Sequence, residues 1–294
     1  MRAFPRRQNL FFLLLQHFRI RFSFLLLPVF LLALATVPQI RIFPAVLSFL
    51  ILHLLVYPSS NAYNSLQDRD TGPIGDVENP GKVPPAVGWV TALVDAVAVG
   101  LSLLVSPLFA GCMAAYIVLS RLYSYRGVRL KKHPILGYLT VVLSQGALVY
   151  FAAYTAISGN TGAPFPGLLV STLLIGAFYP VTQIYQHKQD REDGVCTLSA
   201  LLGVRGTFVY CTVLYGLAFS VLGYWFFIHH RLLQFALLLA LFSPVLFWFL
   251  RWMRQCFQDP AFADYRHTMQ MSWRAAICTN TAFLILSILP RSFG

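Results

Sequence analysis

Acidic residues are scarce in this sequence, which has ten Asp and Glu against 22 Lys and Arg in 294 residues. Charged residues make up 11% of the chain, whereas soluble domains typically carry roughly 25%. Hydrophobic residues make up 57%, and no polar stretch is long enough to form a soluble domain. This composition excludes an ordinary soluble protein and predicts one multi-pass membrane domain over residues 1–294.

Cysteine is also sparse, and its spacing is uninformative for metal binding. The five cysteines form no CxxC pair and have no Cys/His spacing; they are Cys112, Cys196, Cys211, Cys256 and Cys278. A disulfide framework and a zinc site are therefore both not expected.

Apolar segments near the ~20 residues needed to span a bilayer recur along the whole chain. Apolar length and Pro, Gly and charge positions predict nine helices, at 21–38, 42–61, 87–105, 107–122, 134–157, 165–186, 206–228, 232–250 and 273–290. Segment 1–20 is basic and amphipathic and has no small-residue cleavage site, which favours an interfacial helix over a removed signal. Segments 62–86 and 187–205 are interpreted as loops.

The basic residues predict the orientation of this integral protein in the cell membrane. If the N-terminus is cytoplasmic, only Arg41, Arg231 and Arg291 lie outside, and the other 19 of the 22 basic residues lie in cytoplasmic segments. The positive-inside rule then places both acidic loops in the cytoplasm and the C-terminus outside. Basic loops facing anionic membrane lipids account for the net charge of +12, so no nucleic-acid partner is expected.

Seven of the ten acids fall in two short segments, "DRDTGPIGDVE" and "DREDG", which follow the second and sixth predicted helices. Asn61, Asn64 and Asp68 are spaced i, i+3 and i+7, so they share one helix face if the second helix continues this far. Gln186 and Asp190 are one turn apart at the end of the sixth. Such oxygen ligands suit Mg²⁺, which binds few carboxylates and completes its shell with water and phosphate. Each cluster alone is equally typical of solvated loops and helix caps.

The two clusters occupy equivalent places in the chain. Each closes the second helix of a four-helix group, with Asn64 and Gln186 offset by 122 residues. This echo predicts two four-helix repeats plus a ninth helix around a central cavity, with the clusters facing each other.

These residues resemble the motifs of the UbiA-type intramembrane prenyltransferase family, written N-D-x-x-D-x-x-x-D and D-x-x-x-D. The first motif is similar to Asn64-Ser-Leu-Gln-Asp68, with Asn61 one turn earlier. The run "GVCTL" followed by "LLGVRG" resembles the family's GxxTLxxxLG tail, and that register places the second motif at Gln186-x-x-x-Asp190. The segment "LYSYRGVRLKKHPILGYLT" is similar to the family's basic loop between helices 4 and 5. Two positions depart from the pattern, because Gly72 and Gln186 stand where members commonly have aspartate.

The resemblance implies a nine-helix bundle that transfers a prenyl or polyprenyl group from its diphosphate to an aromatic or lipid-type acceptor within the membrane, with Mg²⁺ as cofactor. It implies catalytic roles for Asp68 and Asp190. The implied metal-site residues are Asn61, Asn64, Asp68, Asp70, Gln186, Asp190 and Asp193. The candidate cations for the diphosphate are Arg126, Arg129, Lys131, Lys188 and Arg191. The implied partners are a prenyl diphosphate donor, a hydrophobic or aromatic acceptor and membrane lipids.

Aromatic residues would stabilise an allylic cation, and they make up 15% of the chain. The candidates are Tyr57, Tyr63, Tyr116, Tyr150, Tyr154, Phe178, Tyr179 and Tyr185.

Two other classes of protein fit part of the sequence. Asp95 lies inside the third predicted helix, where a proton-coupled transporter would use such an acid; a hydrogen bond between helices is the favoured interpretation. The reduced motifs would also suit a non-catalytic membrane scaffold descended from the enzymes.

Overall fold

The computed structural model describes residues 9–68 and 72–289, and the regular structure within them is helical. An isolated bridge between Ile74 and Val77 is the β-type pairing found in these residues. The helices are α1 Leu10–Phe18, α2 Leu27–Thr36, α3 Ile42–Leu50, α4 Tyr57–Asp68, α5 Val87–Ser102, α6 Pro107–Ser124, α7 Pro134–Val142, α8 Val149–Ser158, α9 Phe165–Thr182, α10 His187–Glu192, α11 Leu198–Ile228, α12 Leu232–Gln258 and α13 Tyr265–Ile288.

Within the part of the chain that the structure describes, nine helical segments correspond to the nine predicted spans. Eight are long and apolar enough to cross a membrane, and α5 is a shorter apolar helix of 16 residues. Two of the spans contain a π-helical turn, at Ile51–Val56 and Leu143–Leu148. The all-α bundle is thus confirmed, and the two-repeat arrangement stays a prediction.

Several helices extend beyond their predicted ends. Helix α4 runs to Asp68, so the first part of the predicted loop 62–86 is helical, and α10 and the start of α11 occupy most of the predicted loop 187–205. Helix α12 ends at Gln258 and α13 begins at Tyr265, each eight residues outside its predicted span. A helix satisfies its own backbone hydrogen bonds in lipid and in water, so it need not stop where the apolar run stops.

Helix α8 is largely buried and contacts α2, α3 and α6. Ala152, Ala153 and Ala156 are almost completely buried, and such small side chains let helix backbones approach closely in a membrane. A similar close approach occurs at Gly146, where an added Cβ would lie 2.8 Å from the Cα of Thr172 on α9. This packing fixes α9 relative to α8 and so positions the helix that leads to the second acidic cluster.

Candidate active site

A polar cavity of about 400 Å³ lies at the end of the bundle where α4 ends and α10 begins, which we call the motif end. The predicted metal-site residues that line it are Asn61, Asn64, Asp68, Gln186, Asp190 and Asp193. The structure therefore brings the two acidic clusters together around one space. The remaining candidate, Asp70, lies outside the described residues.

The first cluster is held in a fixed orientation on α4. The amide Nδ2 of Asn64 donates to Oδ2 of Asp68 at 2.9 Å, and Oγ of Ser124 donates to Oδ1 of Asn64, also at 2.9 Å. Ser124 is the last residue of α6, so this chain of bonds ties the cluster to a neighbouring helix. The amide Nδ2 of Asn61 is buried without a hydrogen-bond partner.

The second cluster follows a break in the helix. Helix α9 ends at Thr182, and a 3₁₀ turn, Ile184–Gln186, leads into α10. This geometry places Gln186, Asp190 and Asp193 on the cavity wall. Oδ2 of Asp190 is buried and has no hydrogen-bond partner, which is costly for a carboxylate unless a cation or donor completes the site.

Lys131 is the predicted cation that lines the cavity, and its ammonium group forms an ion pair with Oδ1 of Asp68. The side chain is 9% exposed, so the pair is largely shielded from water. Lys131 lies in a short 3₁₀ turn, Leu130–Lys132, that packs on α7. An added Cβ on Gly137 would lie 2.9 Å from the Cα of Lys131, so the absence of a side chain there permits this approach.

Arg129 and Arg126 contact the carboxylates from behind the cavity wall. The Arg129 guanidinium pairs with Asp193 and lies 3.5 Å from Oδ1 of Asp68, so it links the two clusters. Arg126 lies 3.6 Å from Oδ1 of Asp193 and donates to the carbonyl of Gln67 at 2.5 Å, near the end of α4. Arg129 is 3% exposed, and a buried guanidinium of this kind is retained because carboxylates compensate its charge.

Lys188 and Arg191 do not reach the cavity. Both side chains are exposed, and neither lines the polar cavity. The reason is helical geometry: at 3.6 residues per turn, residues 186, 190 and 193 share one face of this segment while 188 and 191 lie on another. The structure thus corrects the expectation that these two cations stand beside the diphosphate.

The donor set suits a hard cation that keeps other ligands. In residues 9–68 and 72–289, no three His, Cys, Asp or Glu side chains are arranged to hold a metal alone. Carboxylates of Asp68 and Asp190 and the side-chain amides of Asn61 and Gln186 are present instead. Mg²⁺ is commonly bound through one or two carboxylates plus water and phosphate, so these residues and the unpartnered Oδ2 of Asp190 fit it.

A second space, the apolar chamber, lies beside the polar cavity. It measures about 500 Å³ and is lined by residues of α2, α9, α11, α12 and α13. Leu25, Ile175 and Phe178 line both spaces. The polar and apolar spaces are therefore neighbours with a common boundary.

The sequence profile of the UbiA prenyltransferase family matches residues 25–273. The chain belongs to this family. No curated protein sequence matches it. Its membership and its apolar helices make it an integral multi-pass membrane protein.

Solved structures share the UbiA fold. A UbiA homolog from Archaeoglobus fulgidus bound to DMAPP and Mg²⁺ has 18% identity and a TM-score of 0.68, covering 94% of this chain and 99% of that chain; a similar structure holds GPP and Mg²⁺. A digeranylgeranylglyceryl phosphate synthase has 18% identity and a TM-score of 0.61, with coverages of 95% and 98%. The apo UbiA homolog from Aeropyrum pernix K1 has 14% identity and a TM-score of 0.56, with coverages of 88% and 97%. At these identities the similarity establishes a common fold but does not identify a substrate.

Arg19 is a cavity residue of this UbiA protein that the sequence did not single out. It lines the polar cavity, and its Nη2 donates to the carbonyl of Asn61 at 3.1 Å. Its backbone is left-handed, with φ of 45°, so the chain turns between α1 and the turn that leads to α2. It is one of several arginines in a basic segment, and nothing in the sequence distinguished it from the others.

Four of the eight predicted aromatic residues line the polar cavity, namely Tyr116, Phe178, Tyr179 and Tyr185. Tyr123 lines it as well, and its hydroxyl is hydrogen-bonded to that of Tyr179, which also accepts from Gln183 Nε2 at 2.9 Å. Tyr57 and Tyr150 are buried in the bundle core. The cavity wall thus combines aromatic faces with polar groups.

Asp95 in the UbiA bundle is paired. Its carboxylate forms an ion pair with Arg121 on α6 and accepts from Oγ of Ser59 on α4 at 2.6 Å. The Arg121 guanidinium also lies over the ring of Tyr63 at 4.0 Å. These contacts join α4, α5 and α6. They agree with the favoured interpretation that Asp95 forms a hydrogen bond between helices.

Proposed function

We propose that this protein transfers a prenyl or polyprenyl group from its diphosphate to a hydrophobic or aromatic acceptor within the membrane, with Mg²⁺ as cofactor. The observation that carries the proposal is the convergence of Asp68, Asp190 and Lys131 on one polar cavity beside an apolar chamber. The binding of DMAPP or GPP together with Mg²⁺ by the A. fulgidus homolog supports it.

The diphosphate of the donor would be bound in two ways, through Mg²⁺ and through Lys131. Asp68, Asp190, Asn64 and Gln186 would hold Mg²⁺, which when bound neutralises charge on the diphosphate. Lys131 would donate hydrogen bonds to the diphosphate oxygens, since its ammonium group already lines the cavity. Asn61, Asp193 and Asp70 are proposed as supporting groups, and Arg129 and Arg126 as cations that keep the carboxylates in place.

The reaction breaks the allylic C–O bond, and its electron pair leaves with the diphosphate. Positive charge placed at that oxygen stabilises the transition state. The carbon left behind is electron-poor, and the ring faces of Tyr116, Phe178 and Tyr179 would stabilise it without capturing it. The acceptor then forms a bond to this carbon and loses a proton.

The proposed orientation places the motif end at the cytoplasmic side, the N-terminus in the cytoplasm and the C-terminus outside. The distribution of basic residues supports this. In this orientation the donor diphosphate enters from the cytoplasm and its chain lies in the bilayer. Membrane lipids surround the bundle, and a lipid-type acceptor would approach from them.

The test uses purified protein in lipid nanodiscs with Mg²⁺, radiolabelled geranyl or geranylgeranyl diphosphate and a membrane lipid extract. Asp68→Asn and Asp190→Asn should each lower product formation by about 100-fold or more. Asp259→Asn is the matched control, because Asp259 caps a turn away from the cavity and asparagine keeps that capping bond. Equal product formation in all variants would contradict the site, and absence of donor binding and turnover in the unmodified protein would favour a scaffold.

A further inference from the structure

A third space lies on the surface of α13, and we call it the α13 groove. It measures about 590 Å³ and is lined by Glu78 and by residues of α13 between positions 265 and 277. Met269 lines both this groove and the polar cavity, so the groove lies at the motif end of the bundle. Of the described residues, none assigned to the proposed metal or diphosphate site lines it.

The α13 groove carries a net positive charge. Arg266, Gln270 and Arg274 line it at spacing i, i+4 and i+8, which places them along one face of the helix. Both arginine side chains are exposed, and within residues 9–68 and 72–289 no carboxylate forms an ion pair with either of them. Glu78 is the acidic residue among the described lining residues, so two cations face one anion. An anionic group placed beside Gln270 would lie between two long basic side chains.

Aromatic rings support the groove. The Trp273 ring stacks on Phe24 with the ring centroids 5.9 Å apart, and the Arg21 guanidinium also lies 5.9 Å from the Trp273 centroid. The Arg274 guanidinium lies over the Trp248 ring of α12 at 4.9 Å. Tryptophan is enriched at the membrane–water interface, and arginine there keeps its charged head among the lipid headgroups. The groove is therefore built for the headgroup level of a bilayer.

Beyond the groove, the same face of α13 becomes apolar. Ile277, Leu284 and Ile288 are spaced i, i+7 and i+11, so they continue the face of the two arginines toward the other end of the bundle. They are 54%, 48% and 77% exposed, and we call them the apolar stripe. The helix rises about 21 Å from Arg274 to Ile288, whereas one leaflet of hydrocarbon is about 15 Å thick. A ligand that matches both parts has an anionic group joined to a long hydrocarbon chain.

We propose that the α13 groove binds the headgroup phosphate of an anionic phospholipid, and that an acyl chain of this lipid lies along the apolar stripe. The inference goes beyond the proposed reaction, which uses none of these residues. A phosphodiester accepts charge-assisted hydrogen bonds from the guanidinium groups of Arg266 and Arg274. In the proposed orientation the groove faces the cytoplasmic leaflet, which carries the anionic lipids. A zwitterionic lipid binds less well, because the arginines repel the cation beside its phosphate.

The experiment measures lipid binding to the purified protein in a neutral detergent, where no charged surface competes. Phosphatidylglycerol and phosphatidylcholine are titrated separately, and the bound lipids are counted by native mass spectrometry. Phosphatidylglycerol should bind about tenfold more tightly. Arg266→Gln combined with Arg274→Gln should weaken its binding by about 25-fold, since each basic residue near an anionic lipid contributes about fivefold.

The matched control is Arg251→Gln combined with Arg254→Gln, which removes the same charge. Both arginines are exposed on α12, and neither lines the polar cavity, the apolar chamber or the α13 groove. This variant should bind phosphatidylglycerol as the unmodified protein does. Equal weakening by the two arginine pairs would overturn the site in favour of general attraction to a basic protein, and so would equal affinity for the two lipids.

Glu78→Gln provides a test that loss of folded protein cannot mimic. It removes the carboxylate of the groove, so phosphatidylglycerol should bind about fivefold more tightly. Unchanged or weaker binding in this variant would contradict the proposal. Displacement of phosphatidylglycerol by inorganic phosphate would also overturn it, because the groove would then be a site for a soluble phosphate. These measurements need no donor turnover, so their outcome is independent of the proposed reaction.

Discussion

The backbone of Gly72 faces the side chain of Gln189 on α10: a Cβ built on Gly72 would lie 3.2 Å from Oε1 of Gln189. Gln189 lines the polar cavity. The position where many UbiA proteins have an aspartate is therefore next to the second cluster, although this chain has a glycine there and so contributes no carboxylate.

We expect Gly72→Asp to strengthen Mg²⁺ binding. A carboxylate at this position adds negative charge beside Gln189, which lines the cavity next to Asp190 in the chain, and charge count tunes the affinity of a divalent-cation site. The Mg²⁺ concentration for half-maximal donor binding should fall by about tenfold, which equals about 1.4 kcal/mol. Titration of donor binding with Mg²⁺ measures the shift. Gly72→Asn is the control of similar shape without the charge, and an equal shift in both variants would rule out a charge effect.

Replacement of Lys131 should raise the affinity for Mg²⁺ and lower kcat/KM for the donor. In Lys131→Met, Asp68 loses one of its two buried counter-ions and keeps Arg129, so Mg²⁺ alone should bind more tightly. The donor loses a cation at its diphosphate, so kcat/KM should fall by about 100-fold. Calorimetry with Mg²⁺ and steady-state kinetics give the two values. Lys132→Met is the control, because Lys132 is the exposed neighbour on the same turn. A fall in both the Mg²⁺ affinity and kcat/KM would contradict this prediction and indicate a misfolded site.

Removal of Arg121 should destabilise the bundle with little effect on chemistry. Arg121→Met leaves the Asp95 carboxylate largely buried with Ser59 as its remaining partner, and we expect a loss of about 2 kcal/mol of unfolding free energy. Thermal unfolding in detergent measures this, with the exposed Arg251→Met as control. Asp95→Asn should be milder, since an amide oxygen can still accept from Ser59. Loss of turnover in Asp95→Asn at an unchanged unfolding temperature would instead assign Asp95 to the chemistry.

The sequence predicted the parts of the fold that depend on local composition. Apolar length was sufficient for nine helices, because each must satisfy its backbone in lipid. The equivalent places of the two acidic clusters in the chain were sufficient to predict that Asn64, Asp68 and Asp190 approach each other. Helix ends were predicted less well, because polar residues at the motif end continue a helix as readily as they end it.

Side-chain direction and contacts between distant segments could not be predicted. Lys188 and Arg191 were candidates because they are basic residues beside the second motif, and the helical period of their segment places both on a face that does not line the cavity. Arg19 itself has a left-handed backbone, which lets it reach the cavity, and nothing in the sequence indicates this conformation. The apolar chamber needs five helices to form its wall, and no single segment indicates it.

Side chains of α6 and of the residues that follow it form several hydrogen bonds to α4. Arg121 reaches Ser59, Ser124 reaches Asn64 and Arg126 reaches the carbonyl of Gln67. None of these bonds involves Gly72 or Gln186. The hydrogen bonds that hold α4 are therefore independent of these two positions, so a carboxylate could be gained or lost at position 72 or 186 without breaking any of them.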